Sequence, residues 1–406
     1  MKKNFSWLFV ANIFKGFYQW ILLILIVKYY SNKEVAEFTL TYALSAPVFM
    51  FSNLQLKSIY IVDYKNLDRQ INYFLIRIIT IFMTIIGFLA YFSLFDTFSS
   101  LFFLIVLIKA LESVFDILHG YFQKNEIMHY MSISLILQSM GSLIVFLIMI
   151  NIQNNLSLSF LAVVLVNITI LFFYDLRIIF KLENISINNF FNINIDYHFI
   201  KKILYNAVPL GIAVFLTSYT TNLPRIEVEK YLGIDALAYF GAFSYMAIGF
   251  YQLLLPLQIV IRPKLAKNIH QKENKLFFKY LLTSIGVASL FSSIIYFIFY
   301  IYGKEIITLV YNREYIKYID VLLYLLIGQA ILYISGLLNI AVQAYHVFKL
   351  QVVISSIVLF SAYILSNYFL VNYKLIGASY LVVSYGTLSL VLYLLLLYRK
   401  VNENRN

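Results

Sequence analysis

The sequence contains no cysteine, only five prolines and few charged residues. Asp, Glu, Lys and Arg make up 12% of its 406 residues, whereas hydrophobic residues make up 62%. Without cysteine there can be no disulfide, no thiolate catalysis and no cysteine-ligated zinc or iron–sulfur site. So little polar surface cannot cover a soluble protein of this size, and we therefore expect the chain to lie in lipid.

Other functional signatures are also missing. The five histidines are scattered without an HxxxH pair, so the sequence offers no metal site. No GxxxxGK[ST] loop is present, so we expect no ATP hydrolysis and no cofactor. The net charge of +12 does not indicate nucleic-acid binding, because the basic residues lie in short gaps between apolar runs.

Apolar runs of about 20 residues, the length of a helix that spans a bilayer, dominate the chain. The fold class that they predict is an all-α polytopic membrane protein with twelve transmembrane helices in two six-helix bundles. The predicted spans are Phe5 to Val27, Phe38 to Ile61, Phe74 to Phe95, Leu101 to Leu118, Met131 to Ile150, Leu158 to Ile179, Leu204 to Leu223, Leu237 to Ile261, Tyr280 to Ile301, Val321 to Val342, Val352 to Val371 and Leu375 to Tyr398.

The distribution of Lys and Arg predicts the orientation of these spans. With a cytoplasmic N-terminus, 21 of the 31 basic residues fall on the inner side and 8 on the outer side, and Lys15 and Lys109 lie within spans. This excess of positive charge on the inner side predicts that both termini are cytoplasmic. All five histidines are then expected in or beside cytoplasmic loops, which argues against a proton relay through histidine.

The chain is predicted to divide into two halves. Residues 1–180 form an N-terminal six-helix bundle, 181–203 a cytoplasmic linker and 204–406 a C-terminal six-helix bundle. A short repeat supports this division, because Lys28 to Phe38 resembles Lys230 to Phe240 at an offset of 202. An even number of spans in each half predicts a parallel repeat, as in transporters that rock two bundles around one site.

The fourth predicted span carries three ionisable residues on one helical face. Lys109 and Glu112 are spaced i,i+3, and Glu112 and Asp116 are spaced i,i+4. Such residues face protein or water, because exposing them to lipid costs about 2.5–3.5 kcal/mol each. One interpretation is a structural ion pair between Lys109 and Glu112. The other is a wet cavity where Lys109 attracts an anion and Glu112 or Asp116 is a proton- or ion-coupling site.

Two further cations are candidates for such a cavity. Lys15 lies near mid-depth of the first span. It either snorkels or contacts a neighbouring helix, or it lines the cavity as a cation that needs an anionic partner from elsewhere, since no carboxylate lies close by in its own helix. Arg225 follows Pro224, and it is either an outer-interface anchor or a residue that a bent helix turns into the cavity. Glu227 and Glu229 are expected to face the external water.

Three stretches of the chain form a recognisable set. The first runs from Asn222 to Gly233 and continues from Ala238 to Tyr245. The second is the basic turn Arg262 to Lys267, and the third is Lys109 to Ser113, followed by Asp116, Gly120 and Gln123. Together they resemble the polysaccharide transporter family of bacterial flippases, the Wzx type that moves O-antigen units. That family belongs to the superfamily that includes MATE-like exporters and lipid II flippases.

This resemblance implies a MATE-like flippase of the bacterial inner membrane that translocates an undecaprenyl-diphosphate-linked oligosaccharide by alternating access. It is not expected to be an enzyme. Its partners would be the lipid-linked oligosaccharide, membrane lipids, H⁺ or Na⁺ as coupling ion, and the polysaccharide polymerase machinery. Lys15, Lys109 and Arg225 would bind the diphosphate or acidic sugars, and Glu112 and Asp116 would serve in ion coupling.

Three other functions have to be weighed against this one. A multidrug or ion antiporter of the MATE type would show acidic residues as the dominant cavity charges. A lipid II flippase would more often have fourteen spans. A polysaccharide polymerase or ligase, which would be an enzyme, would carry a large external loop, whereas no predicted external loop is longer than about twenty residues.

Overall fold

The protein is described by a computed structural model that covers residues 2–63, 70–95, 99–153, 155–182, 196–345 and 348–403. Helices form almost all of these residues, and no strand occurs among them. A π-helical turn, Leu171–Leu176, joins α7 to α8, and a 3-10 helix, Arg313–Tyr318, precedes α12. The α-helices are α1 (Lys2–Tyr29), α2 (Asn32–Ser52), α3 (Leu56–Val62), α4 (Gln70–Phe95), α5 (Ser100–Lys124), α6 (Met128–Gln153), α7 (Leu156–Ile170), α8 (Arg177–Leu182), α9 (Tyr197–Gln252), α10 (Leu255–His270), α11 (Asn274–Val310), α12 (Ile319–Gln343) and α13 (Phe348–Glu403).

The all-α membrane fold predicted from the sequence is confirmed. Within the described ranges, nine helical segments are long and apolar enough to cross a membrane, so the chain is a multi-pass membrane protein. Two of these, the 56-residue helices α9 and α13, are each bent at one residue, Gly233 and Lys374. Helix α5 is 25 residues long but is not among these nine, and it carries Lys109, Glu112 and Asp116 close together. The count of twelve spans stays a prediction.

The bend in α9 supports the repeat found in the sequence. Gly233 has φ of 83°, a left-handed value that glycine adopts without strain. It lies 202 residues after Ser31, the residue that breaks the chain between α1 and α2. The offset between the two breaks therefore equals the offset between the two similar sequences.

Two compact units make up the chain, residues 1–22 with 44–218 and residues 23–43 with 219–406. The predicted domain bounds, 1–180 and 204–406 with the linker 181–203, stay a prediction, and most of the linker lies outside the described residues. In the first unit a hydrophobic core forms around Tyr60 and Phe122, both of which are fully buried. This packing holds α3, α4 and α5 together and so positions the charged residues of α5.

In the second unit, α2 and the part of α9 after Gly233 approach each other closely. A Cβ atom built on Gly241 would lie 2.7 Å from Thr39 Cγ2, which leaves no room for a side chain larger than glycine. Thr39 and Gly241 are also separated by 202 residues. Residues at equivalent positions of the two repeats therefore pack against each other.

Candidate charged cavity

A small polar cavity lies inside the first unit. Its volume of about 40 Å³ is enough for two or three water molecules and is far too small for a sugar. Helices α1, α5, α6 and α7 line it through Lys15, Tyr18, Gln19, Ile108, Glu112, Leu135, Gln138, Ser139, Ser142, Val163 and Asn167. Two of the predicted site residues, Lys15 and Glu112, thus share one cavity.

Lys109 lies beside this cavity and forms an ion pair with Glu112, one of the residues that line it. Its Nζ is 2.8 Å from Glu112 Oε2, as the i,i+3 spacing on α5 allows. The Lys109 side chain is 10% exposed and that of Glu112 is 42% exposed. Lys15 acts on the same carboxylate through space. Two ammonium groups and one carboxylate thus give this group a net charge of one positive.

The carboxylate of Asp116 contacts other cations than that of Glu112. Its Oδ2 accepts a hydrogen bond from Arg77 Nη2 at 3.0 Å, and its Oδ1 is 3.4 Å from Lys57 Nζ. Arg77 is fully buried and also donates to the side-chain oxygen of Asn53. The sequence gives no local signal for this cluster, because the two partners of Arg77 are 24 and 39 residues away.

Arg225 is buried in the second unit, at 4% exposure. Its Nε donates to Ser244 Oγ at 3.0 Å, and its Nη1 donates to Asn222 Oδ1 at 2.7 Å. The guanidinium carbon lies 4.2 Å from the centre of the Tyr245 ring, a cation–π distance. All three of these partners are uncharged, so they hold the guanidinium in place without neutralising it.

The expectation that Glu227 faces external water is wrong. Its residue is only 4% exposed, and Ser366 Oγ lies 3.4 Å from its carboxylate. Glu227 follows Arg225 by two residues in α9, and both residues are buried. The positions of Arg225 and Glu227 in the sequence could not predict that both are buried, because residues two apart in a helix do not lie on the same face.

The histidines do not all behave as expected either. His119 is 4% exposed and lies within α5, where its Nε2 is 3.1 Å from Ser134 Oγ and 3.6 Å from Asp175 Oδ1. His198 and His270 are exposed, as loop or helix-end residues are. His346 lies outside the described residues. Across the described ranges, no group of three or more histidine or acidic residues could hold a metal ion.

The comparisons with known proteins agree with this fold. No family model matches the chain. The capsular polysaccharide biosynthesis protein CapF of Staphylococcus aureus is 26% identical over 325 residues, which are 78% of this chain and 78% of CapF. Among solved structures, the lipid II flippase MurJ matches 96% of this chain and 86% of its own, with a TM-score of 0.72 and 15% identity. A multidrug resistance MATE family transporter of the MOP superfamily matches 99% and 96%, with a TM-score of 0.68 and 12% identity. The chain has the fold of the MOP superfamily.

The MOP fold and the relative CapF confirm the resemblance that the sequence motifs indicated. Within this fold the structure brings Lys15, Lys109 and Glu112 together at one cavity and places Asp116 in the neighbouring Arg77 cluster. Arg225 belongs to a separate buried cluster in the second unit. The roles of these five residues in binding and coupling stay predictions.

Proposed function

We propose that this MOP-fold protein is a flippase that translocates an undecaprenyl-diphosphate-linked oligosaccharide across the bacterial inner membrane. The similarity to CapF, a capsular polysaccharide biosynthesis protein, supports a surface polysaccharide unit as the substrate. The similarity in fold to MurJ, a lipid II flippase, supports a lipid-linked sugar. Both termini would be cytoplasmic, as the distribution of basic residues predicts.

The observation that carries this proposal is the positive balance of the charges at the cavity and the uncharged surroundings of Arg225. Lys109 neutralises Glu112 at 2.8 Å, which leaves the ammonium group of Lys15, a partly exposed residue, as the surplus charge of the cavity group. The side chains that hold Arg225 are all uncharged. Fixed cations of this kind attract a diphosphate or acidic sugars through charge-assisted hydrogen bonds.

The cavity itself is too small for the sugar, so its role differs from that of a binding pocket. At about 40 Å³ it holds only water in this state. The diphosphate would meet Lys15 only after a conformational change opens this part of the protein, as alternating access requires. The lipid tail can stay in the bilayer throughout.

A multidrug or ion antiporter is the second candidate, and the buried Glu227 favours it. An acidic side chain at 4% exposure, with Ser366 Oγ at 3.4 Å from its carboxylate, is a group that could bind a cation. The likeness in fold to a multidrug resistance MATE transporter is compatible with this function. An antiporter would depend on Glu227, whereas the flippase depends on Lys15.

Deletion of the gene in its own host tests the two candidates directly. For a flippase we expect loss of surface polysaccharide and accumulation of complete lipid-linked repeat units on the cytoplasmic leaflet. Normal surface polysaccharide with increased drug sensitivity would instead establish the antiporter.

Complementation with point variants then tests the residues. Lys15→Ala should lower flipping by about tenfold or more, because a charge-assisted hydrogen bond contributes roughly 1.5–3 kcal/mol. Lys15→Arg, which keeps the charge, should retain most of the activity. Lys275→Ala is the matched control, since that lysine is exposed at the start of α11. Equal flipping by all three variants at equal membrane abundance would remove Lys15 from the site.

A further inference from the structure

A second polar network lies in the first unit, and the proposed function makes no use of it. Ser134 is at its centre, with its hydroxyl oxygen 2.8 Å from Asp175 Oδ2, 3.1 Å from His119 Nε2 and 2.8 Å from Gln138 Nε2. Ser134 and Asp175 are fully buried, and His119 is 4% exposed. These side chains come from α5, α6 and the π-helical turn.

The hydrogen-bond chemistry assigns the protons of this network. Ser134 has one proton, which it donates to the carboxylate of Asp175, and its oxygen can accept two further bonds. Gln138 supplies one of these through its amide N–H, so His119 supplies the other. Nε2 of His119 therefore carries a proton, and the ring is either neutral with this tautomer or doubly protonated.

The carboxylate of Asp175 is left incompletely satisfied by this arrangement. Its Oδ1 is buried without a hydrogen-bond partner and lies 3.6 Å from His119 Nε2. With a neutral imidazole, the His119–Asp175 pair carries one negative charge. Because Asp175 is fully buried, keeping this charge in surroundings of low dielectric costs free energy. One additional proton, on His119 Nδ1, makes the pair neutral overall.

Charged groups act on the pair through space. Lys57 and Lys15 act on His119, and Asp175 acts on the phenol group of Tyr174. Asp116, three residues before His119 on α5, lies 3.4 Å from the same Lys57. The lysines favour the aspartate anion and oppose a charged imidazole, whereas burial opposes either charge alone.

Two features connect the pair to the rest of the unit. Gln138, one hydrogen bond from Ser134, is also a wall of the cavity that contains Lys15 and Glu112. Asp175 lies in the π-helical turn Leu171–Leu176, and such turns occur often at functional sites. The side chain of Gln138 therefore links the His119–Asp175 pair to the cavity that contains Lys15 and Glu112.

We propose that His119, Ser134 and Asp175 form a proton-binding site of this protein and that Gln138 couples its charge state to the cavity of Lys15. The site takes one proton from water, and the charge of the pair changes from minus one to zero. This assignment places proton coupling at His119–Asp175, in contrast to Glu112 and Asp116, which are engaged with Lys109 and Arg77. The coupling part of the proposal depends on the proposed flippase function, whereas the proton binding does not.

Histidine NMR on the purified full-length protein tests the proton site. The ring signals of labelled histidine should show His119 titrating within the pH range in which imidazole changes charge in proteins. His119→Gln assigns the signal, and the exposed His198 and His270 are internal controls. In Asp175→Asn the His119 signal should lose its pH dependence in this range. A His119 signal that stays constant in the wild type, or that titrates equally in Asp175→Asn, overturns the site.

Ser134→Ala gives a second measurement if Asp175→Asn does not fold. This variant keeps both titratable groups and removes the bridge, so the His119 titration should shift its midpoint by about one pH unit or more. An unchanged midpoint would show that the pair does not act as one site.

The coupling is measured separately, by flipping in membranes as a function of pH. Gln138→Leu should keep the His119 titration but lose the pH dependence of flipping, whereas His198→Gln should keep both. Wild-type flipping with a constant His119 signal would retain the function and overturn this inference. A titrating His119 in a protein that does not flip would retain the proton site and overturn the function.

Discussion

The two units bury cationic side chains in opposite ways. In the first unit, Arg77 is fully buried and lies 3.0 Å from the carboxylate of Asp116. In the second unit, Arg225 is 4% exposed and is held by the amide of Asn222, the hydroxyl of Ser244 and the ring of Tyr245. The first arrangement pairs the buried guanidinium with an anion, whereas the second surrounds it with uncharged groups.

This difference separates structural cations from functional ones. A buried ion pair is costly to break but offers no net field to a ligand. A cation held by dipoles and an aromatic face still attracts an anion, and its geometry is set in advance. By this criterion Arg225 is a candidate for substrate contact, and Arg77 belongs to the framework of the first unit.

The largest expected effect comes from breaking the Arg77 pair on its exposed side. Asp116→Asn leaves a fully buried guanidinium without its anion and should destabilise the protein by about 3–5 kcal/mol. Arg77→Met should be milder, because the carboxylate of Asp116 is 35% exposed and keeps Lys57 nearby. Thermal unfolding in detergent measures both, and an equal loss in the two variants would contradict the asymmetry.

A smaller structural effect is expected at Arg225. Arg225→Lys keeps the charge but cannot bond Asn222 and Ser244 from one planar group, so we expect a loss of about 1–3 kcal/mol. The flipping rate should fall further than the loss of stability alone would cause, because the positive charge is also no longer held in place. Asn222→Asp is the matched variant: it keeps the hydrogen bond and cancels the charge, so it should retain stability but lose flipping. Full flipping in this variant would show that the net charge at Arg225 is not used.

Packing between the two repeat copies gives an effect of similar size. Gly241→Ala places a methyl group 2.7 Å from Thr39 Cγ2 and should cost about 1–3 kcal/mol through overpacking. Thr39→Ala in the same chain should restore part of this loss. Gly286→Ala is the control, because nothing lies within 4 Å of the added atom. Equal melting temperatures for Gly241→Ala and Gly286→Ala would contradict the close approach.

The smallest effect is expected for an exposed ion pair. In the last turn of α13, beyond the predicted span, hydrogen bonds from Lys400 and Arg399 hold the pKa of Glu403 below its usual range. A lowered pKa means that any contribution is present above the ordinary glutamate value and is lost as the pH falls through the lowered one. Because solvent screens this pair, Glu403→Gln should leave the melting temperature unchanged between about pH 5 and 8. A measurable loss at pH 7 would set this pair apart from other surface pairs.

Local spacing predicted some of these contacts and could not predict others. The Lys109–Glu112 pair follows from an i,i+3 spacing on one helix, and the all-α membrane fold follows from apolar runs of spanning length. The Arg77–Asp116 and His119–Asp175 pairs join residues 39 and 56 positions apart, on helices whose packing no sequence period specifies. Glu227 and His119 were misplaced for the same reason, since the burial of a polar residue depends on what packs over it.

The π-helical turn at Leu171–Leu176 has a consequence for the mechanics of the helix that contains it. Its hydrogen bonds join residues five apart, whereas those of an α-helical turn join residues four apart. If the turn relaxed to α geometry, the segment on one side would rotate by about 100° and advance by about 1.5 Å. Asp175 would then swing away from Ser134, so a displacement of a single residue is enough to disconnect a buried carboxylate from its partners.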